Sequence, residues 1–156
     1  NAAVPSYNFD TITPQDVAYE IDVTRAPGDR IRNLTWRGKP VAASQEFLVA
    51  TNNYRASGGG NFPGLDGSRT VIASPDNNRD ILIAYVREAK RLTRAANGSA
   101  RSWKFAPVKT AGQVLFSSSP GMVALAHEAG LHNVTQVAAD DGRGKGIALY
   151  AIDLSK

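Results

Sequence analysis

Residues 51–63, Thr-Asn-Asn-Tyr-Arg-Ala-Ser-Gly-Gly-Gly-Asn-Phe-Pro, place an aromatic side chain beside a run of glycines. Glycine adopts positive φ and has no side chain, so its backbone lets a flat ligand approach closely. The ring of Tyr54 at the edge of this loop offers a face on which a nucleobase can stack. The same composition is typical of a surface turn with a buried tyrosine. The residues of the loop alone leave both interpretations open.

The segments around the loop predict a mixed fold. Apolar runs at residues 46–50 and 69–73 predict one strand on each side of the loop. One helix is expected from residues 74–76 to Asn97, and another from Ser119, as its N-cap, to Gly130. Further strands are predicted at residues 17–23, 30–36, 102–106, 113–116, 134–138 and 147–154. The pattern favours a single α+β (mixed α/β) domain with mostly antiparallel strands and two main helices.

Composition excludes several classes of function. The chain has 156 residues, of which 42% are hydrophobic and 21% charged, as is typical of a globular domain. No apolar run approaches the ~20 residues that a membrane-spanning helix needs. The absence of cysteine from the sequence excludes disulfides, thiol catalysis and cysteine-based zinc sites.

The loop also resembles a known family signature. Residues 47–63 are similar to the signature loop of the 5'-nucleotidase C-terminal domain family, which reads roughly Asn-aromatic-x-Ala-x-Gly-Gly-Asp-Gly-aromatic. The order Tyr-Arg-Ala-Ser-Gly-Gly-Gly is most similar to the branch of periplasmic 2',3'-cyclic-nucleotide 2'-phosphodiesterase/3'-nucleotidases. Segments elsewhere fit the same branch, so the resemblance covers most of the chain: residues 7–10, 13–22, 76–85 and 148–156.

The resemblance implies a division of labour between two domains. In the family, an N-terminal metallophosphoesterase domain holds a pair of divalent metal ions and hydrolyses the ester, while the C-terminal domain grips the nucleoside. We expect residues 3–156 to be part of that nucleotide-recognition domain, and Asn1 and Ala2 to be a remnant of cloning. The catalytic domain, the first part of the binding domain and the second stacking aromatic are then expected outside this chain. No catalytic residue, metal ligand or cofactor is expected within it, and the chain alone is expected to be inactive.

The resemblance assigns substrate binding to the loop. Tyr54 is expected to stack on the base, while Asn53 and the backbone of residues 55–60 shape the pocket. The residues of that backbone are Arg55, Ala56, Ser57, Gly58, Gly59 and Gly60. Gly60 replaces the Asp of most 5'-nucleotidases, so hydrogen bonding by a side chain at this position is lost while stacking is retained.

The expected substrates are 2',3'-cyclic nucleotides and nucleoside 3'-phosphates, and the expected location is the periplasm. The other expected partner is the protein's own N-terminal catalytic domain, with neither a membrane nor a stable nucleic-acid complex. Two alternatives stay open. The first is the C-terminal domain of a 5'-nucleotidase/UDP-sugar hydrolase. The second is a non-catalytic module that binds single-stranded nucleic acid.

The nucleic-acid alternative depends on charge. The sequence carries a net charge of +4, and the predicted helix ending at Asn97 would place four basic residues on one face. They are Arg87, Lys90, Arg91 and Arg94. A solvated helix face explains the same pattern, and we favour that interpretation.

The remaining polar motifs favour structural roles. His127 and His132 are separated by five positions, whereas a zinc-binding helix pair needs four, so no metal site is predicted. Residues 117–122 join a predicted strand to a helix, where an anion could bind, but they lack the residue order of a P-loop. Residues 140–146 precede a strand instead of a helix, which predicts a hairpin loop.

Overall fold

The computed structural model describes residues 16–98 and 100–155. The described residues divide into two compact units, one formed by residues 16–41 with 100–155 and the other by residues 42–98. We call the first the two-sheet unit and the second the loop unit. The elements in chain order are β1 (Val17–Ile21), β2 (Ile31–Trp36), β3 (Lys39–Pro40), α1 (Asn53–Ala56), α2 (Asn78–Ala89), α3 (Arg94–Asn97), β4 (Trp103–Phe105), β5 (Val114–Ser118), α4 (Met122–Glu128), β6 (Val134–Ala138) and β7 (Ala148–Ile152).

The first sheet of the two-sheet unit has the strand order β3-β2-β1-β4. Strands β1, β2 and β3 are antiparallel neighbours, and β2 and β3 are joined by Arg37 and Gly38, both at positive φ. A two-residue connection in which both residues adopt positive φ has a backbone twist that matches the right-handed twist of the two strands it joins. Strand β4 lies parallel to β1, with Tyr19 opposite Trp103. The loop unit, residues 42–98, lies in the sequence between β3 and β4.

The second sheet is antiparallel, with β7 between β5 and β6. The side chain of Tyr150 on β7 is fully buried and stacks on Phe116 at a centroid distance of 5.5 Å. Its hydroxyl donates to the carbonyl oxygen of Ser119 at 2.7 Å and accepts from the backbone N–H of Met122 at 3.3 Å. One side chain thus fills the core beside β7 and satisfies the first turn of α4, where helix N–H groups otherwise lack partners.

The structure confirms the predicted α+β class, because mostly antiparallel sheets are combined with helices that include the two main ones expected. Residues 140–146 connect the antiparallel neighbours β6 and β7, which confirms the hairpin loop. The expected N-cap was wrong: Gly121 at φ 79° occupies that position, and no side chain of the cap residue bonds to the helix. Tyr150 takes over part of the role that was assigned to Ser119.

Two predictions for the loop unit were wrong. Residues 46–50 and 69–73 form no strands, because a strand requires a hydrogen-bonded neighbour and residues 42–98 contain no paired strand. The helix expected to reach Asn97 instead ends at Ala89. Lys90 adopts φ 56°, and a separate turn of helix, α3, follows with Thr93 as its N-cap.

The buried hydroxyl of Tyr150 gives a first prediction. Tyr150→Phe keeps the ring but removes the hydrogen bonds of its hydroxyl with the carbonyl oxygen of Ser119 and the N–H of Met122, which costs about 1–3 kcal/mol. Urea unfolding followed by tryptophan fluorescence measures the loss, since both tryptophans lie in the two-sheet unit. Tyr85→Phe is the matched control, because that exposed hydroxyl bonds to Asn97 in contact with water. Equal stability of the two variants would contradict the role of Tyr150.

Glu20 on β1 gives a second prediction, on pH. Lys104 lies 3.1 Å from one carboxylate oxygen and Asn33 donates to the other at 2.7 Å. These hydrogen bonds, the one from Lys104 first, lower the pKa of Glu20 below its ordinary value of 4.5. A carboxylate with a lower pKa in the folded state stabilises the fold above its unfolded pKa, and that contribution is lost as the pH falls through the folded pKa.

We therefore expect Glu20→Gln to flatten the decline of stability between neutral and acidic pH, with reduced stability at neutral pH. Urea midpoints measured at several pH values test this. The matched control is Glu128→Gln, which changes an exposed glutamate on α4. A wild-type pH profile in Glu20→Gln would show that the Lys104 and Asn33 contacts do not persist in solution.

Candidate functional site

A single helical turn, α1, sets the geometry of the glycine loop. Its N-cap is Asn52, whose side-chain oxygen accepts from the N–H of Arg55 at 2.9 Å. The asparagine ends the preceding irregular segment and starts the turn. The first N–H groups of a helix have no carbonyl acceptor within the helix, and the side-chain oxygen of Asn52 accepts from one of them. The turn presents the ring of Tyr54, which is 64% exposed, while Arg55 is half-buried. The structure therefore excludes the interpretation of Tyr54 as a buried turn residue.

Gly59 makes the position of the Tyr54 ring possible. Its N–H donates to the carbonyl oxygen of Tyr54 at 2.7 Å. A Cβ at residue 59 would lie 2.6 Å from two carbon atoms of the Tyr54 ring, and closer still to the Tyr54 carbonyl oxygen. Any other residue would therefore push the ring or the backbone away. The loop holds the tyrosine against bare backbone and leaves most of the ring in solvent.

A second aromatic residue belongs to the same loop. Phe62 is half-buried, and its ring would lie 2.7 Å from a Cβ at residue 60, where Gly60 adopts φ 82°. The guanidinium of Arg55 lies over the Phe62 ring at 5.5 Å from the centroid, a cation–π contact. The sequence analysis did not assign Phe62 to the site. The family signature ends in an aromatic residue, and this position could have identified Phe62.

The other predicted residues are gathered in the same segment. Asn53 is exposed at the start of α1, and the Ser57 hydroxyl donates back to the Asn53 carbonyl oxygen at 2.8 Å. Gly58 adopts φ 98°, and a Cβ there would lie 3.2 Å from the carbonyl oxygen of Leu65. Ala56 is half-buried within the turn. The binding roles of these residues stay predictions, whereas their grouping around Tyr54 is a property of the structure.

A cavity of about 1110 Å³ lies within the loop unit, beside the glycine loop. Most of its wall is formed by residues 47–53, at the start of the loop, and by residues 69–78, which follow it; Ala56, residues 63–67 and Ile81 complete the wall. Tyr54 is not part of the wall. One carboxylate in the wall is Asp66, whose pKa is lowered because the hydroxyl and then the N–H of Ser68 donate to it. Asp66 therefore stays ionised at neutral pH.

Other polar groups have local explanations. Among the described residues, no group of three or more His, Cys, Asp or Glu side chains could hold a metal ion. The rings of His127 and His132 lie 5.3 Å apart, and both are exposed. The N–H of Met122, at the place considered for an anion, is occupied by the Tyr150 hydroxyl.

The basic helix face is not formed. Arg87 lies on α2, whereas Lys90 adopts positive φ at the C-cap and Arg94 starts α3. These side chains therefore do not share one helix face. Nor does any helix in the described parts of the chain have the length and apolar character to cross a membrane.

A family model described as the 5'-nucleotidase C-terminal domain matches residues 6–67, which include the whole glycine loop. The chain belongs to the 5'-nucleotidase C-terminal domain family. This confirms the resemblance seen in residues 47–63. No solved structure was found to match the chain.

Relatives support the same conclusion. A 2',3'-cyclic-nucleotide 2'-phosphodiesterase/3'-nucleotidase of Salmonella typhimurium is 40% identical over 97% of this chain, and one of Haemophilus influenzae is 39% identical over the same share. The trifunctional nucleotide phosphoesterase protein YfkN of Bacillus subtilis is 44% identical over 66% of the chain and 8% of its own length. The chain spans 25% of the length of the first two relatives.

The contact between Gly59 and Tyr54 gives a third prediction. Gly59→Ala is expected to displace the tyrosine ring, because the added methyl group overlaps it. In the wild type, nuclear Overhauser contacts should join the Tyr54 ring protons to the α protons of residue 59, and the variant should lose them. Gly112→Ala is the matched control, since a Cβ there meets no atom within 4 Å. Ring contacts that survive in Gly59→Ala would contradict the close approach.

Proposed function

We propose that this chain is the nucleoside-recognition part of a longer hydrolase that acts on 2',3'-cyclic nucleotides and nucleoside 3'-phosphates. In that protein Tyr54 stacks on the base. The observation that carries the proposal is the exposed tyrosine ring, held against the bare backbone of Gly59 in the family's signature loop. The names of the relatives supply the substrate class.

The loop suits stacking better than base-specific reading. A ring fixed by the local backbone does not have to be ordered when the base arrives, so less conformational freedom is lost on binding. Stacking on an aromatic ring is worth about 1–3 kcal/mol and tolerates every base, since each has a π face. Gly60 adds no side-chain donor or acceptor. We therefore propose broad base tolerance, with polar contacts supplied by backbone groups of residues 55–60.

Hydrolysis is proposed to belong to another domain of the longer protein. The described residues do not fit a dinuclear metal centre, because they contain no suitable cluster of ligands. We propose that a metallophosphoesterase domain provides those ligands, and that the chain by itself is inactive. Base-binding energy from Tyr54 can then help position the phosphate for reaction at a remote centre. We also propose a periplasmic location, with which a cysteine-free chain is compatible.

The two alternatives make different predictions. A 5'-nucleotidase/UDP-sugar hydrolase domain would use the same loop but prefer 5'-phosphates. A single-stranded nucleic-acid module would depend on the basic helix face, which the structure does not form. The sequence identities to the cyclic phosphodiesterase/3'-nucleotidases favour a cyclic-nucleotide and 3'-nucleotide hydrolase over both alternatives.

A fourth prediction tests the role of Tyr54 in the longer protein. Tyr54→Ala is expected to raise KM for 2',3'-cAMP and 3'-AMP about 5- to 150-fold, which corresponds to the loss of about 1–3 kcal/mol of stacking. Tyr54→Phe should stay near the wild type because it keeps the ring. Steady-state hydrolysis with the appropriate divalent metal measures both.

Two controls separate base recognition from general damage. Hydrolysis of p-nitrophenyl phosphate, which lacks a base, should be unchanged in Tyr54→Ala. Tyr85→Ala removes another exposed tyrosine of the loop unit and should leave KM unchanged. An unaltered KM in Tyr54→Ala would refute stacking, and a preference for 5'-AMP would favour the 5'-nucleotidase alternative.

A further inference from the structure

The loop unit lacks a hydrophobic core of its own. None of residues 42–98 is buried, although this stretch contains many large apolar side chains. Leu48 is 78% exposed, Val71 is 73% exposed and Ile72 is 80% exposed. Scattered apolar residues on a surface need no explanation, but a contiguous group of this kind marks a surface that another group covers.

Two segments of exposed apolar residues face one cavity, and a further group of exposed apolar residues lies on α2. Residues 47–50 and 70–73 lie on opposite sides of the glycine loop in sequence and both line the cavity of about 1110 Å³. We call this cavity, with its two flanking segments, the groove. Its walls carry Phe47, Leu48, Val49, Val71 and Ile72. The two segments that flank the groove are therefore mainly apolar.

The N–H groups of residues 48–50 and 71–73, which flank the groove, have no backbone partner among the described residues. Both segments have the apolar, β-branched composition of strands, yet neither is paired. Unpaired backbone beside exposed apolar side chains is the usual template for the addition of another strand. A small molecule would satisfy few of these groups.

We propose that the groove binds a β-strand from the part of the longer protein that lies outside this chain. The length of the relatives argues for this occupant, because three quarters of each of two relatives has no counterpart in the 156 residues. The strand would carry apolar side chains on the face toward Leu48 and Ile72, and its backbone would bond to residues 48–50 or 71–73. This inference rests on the proposed longer protein, but not on its activity.

The proposed strand would also support the binding loop. Residues 47–52 line the groove and lead directly into the cap of α1, so ordering them fixes the point from which Tyr54 projects. A strand in the groove would thus act on the position of the ring without contacting the nucleotide.

Hydrogen exchange of the chain and of the longer protein gives the fifth prediction. Amide protons of residues 48–50 or 71–73 should exchange about 100-fold more slowly in the longer protein than in the 156-residue chain, because they gain strand hydrogen bonds. Equal rates in the two proteins would overturn the proposal. Slow exchange already present in the monomeric chain would do so as well, since the chain's own residues would then fill the groove. Slow exchange that depends on chain concentration would identify a second copy as the occupant instead.

A substitution provides an independent readout. Ile72→Asp should leave the unfolding midpoint of the 156-residue chain unchanged, because Ile72 is 80% exposed there, but should lower that of the longer protein. Leu131→Asp is the matched control, because it alters an exposed apolar residue of the two-sheet unit. It should not lower the unfolding midpoint of the longer protein selectively. An Ile72→Asp midpoint unchanged in both would count against the strand. Both readouts are independent of hydrolysis, so they can succeed or fail separately from the Tyr54 experiments.

Discussion

The candidate site depends on the close contact between Gly59 and Tyr54, which leaves no room for a Cβ atom at residue 59. At Gly59 the backbone passes so close to Tyr54 that a Cβ would overlap both the ring and its carbonyl oxygen. The hydrogen bond from Gly59 to Tyr54 fixes the same approach from the backbone side. Because these restraints come from neighbouring residues, the ring is positioned by local geometry and needs no buried core beneath it. Asn52 adds the start of the helical turn from which the ring projects.

The two units are stabilised in different ways. In the two-sheet unit, Tyr150 is enclosed with Val134 and Ala148 and its hydroxyl satisfies α4, so packing and hydrogen bonding reinforce each other. The loop unit has helices with side-chain caps at Asn52, Asn77 and Thr93 but no buried residue. Caps define where helices begin, yet they do not supply the apolar burial on which most tertiary stability depends. The loop unit therefore gains most from a partner.

Sequence patterns predicted the local features better than the pairings. Alternating residues predicted β1, and the glycine run predicted backbone at positive φ, because both signals are contained in a few adjacent residues. The strands expected at residues 46–50 and 69–73 failed because an apolar run does not specify its partner. Ser119 failed as a cap because a tyrosine far along the chain provides the hydroxyl. Phe62 was missed because the predicted site covered only residues 53–60 and did not include the aromatic residue that ends the family signature.

The parallel pairing of β1 with β4 has a consequence for how this protein can change over evolutionary time. The chain leaves the sheet after β3, forms the loop unit and returns at β4, which pairs with β1. The entropic cost of closing such a loop rises only logarithmically, by about 0.6 kcal/mol for each doubling of its length. Insertions, deletions and exchanges within residues 42–98 therefore cost the sheet little. This segment can diversify while the strands that anchor both of its ends stay the same.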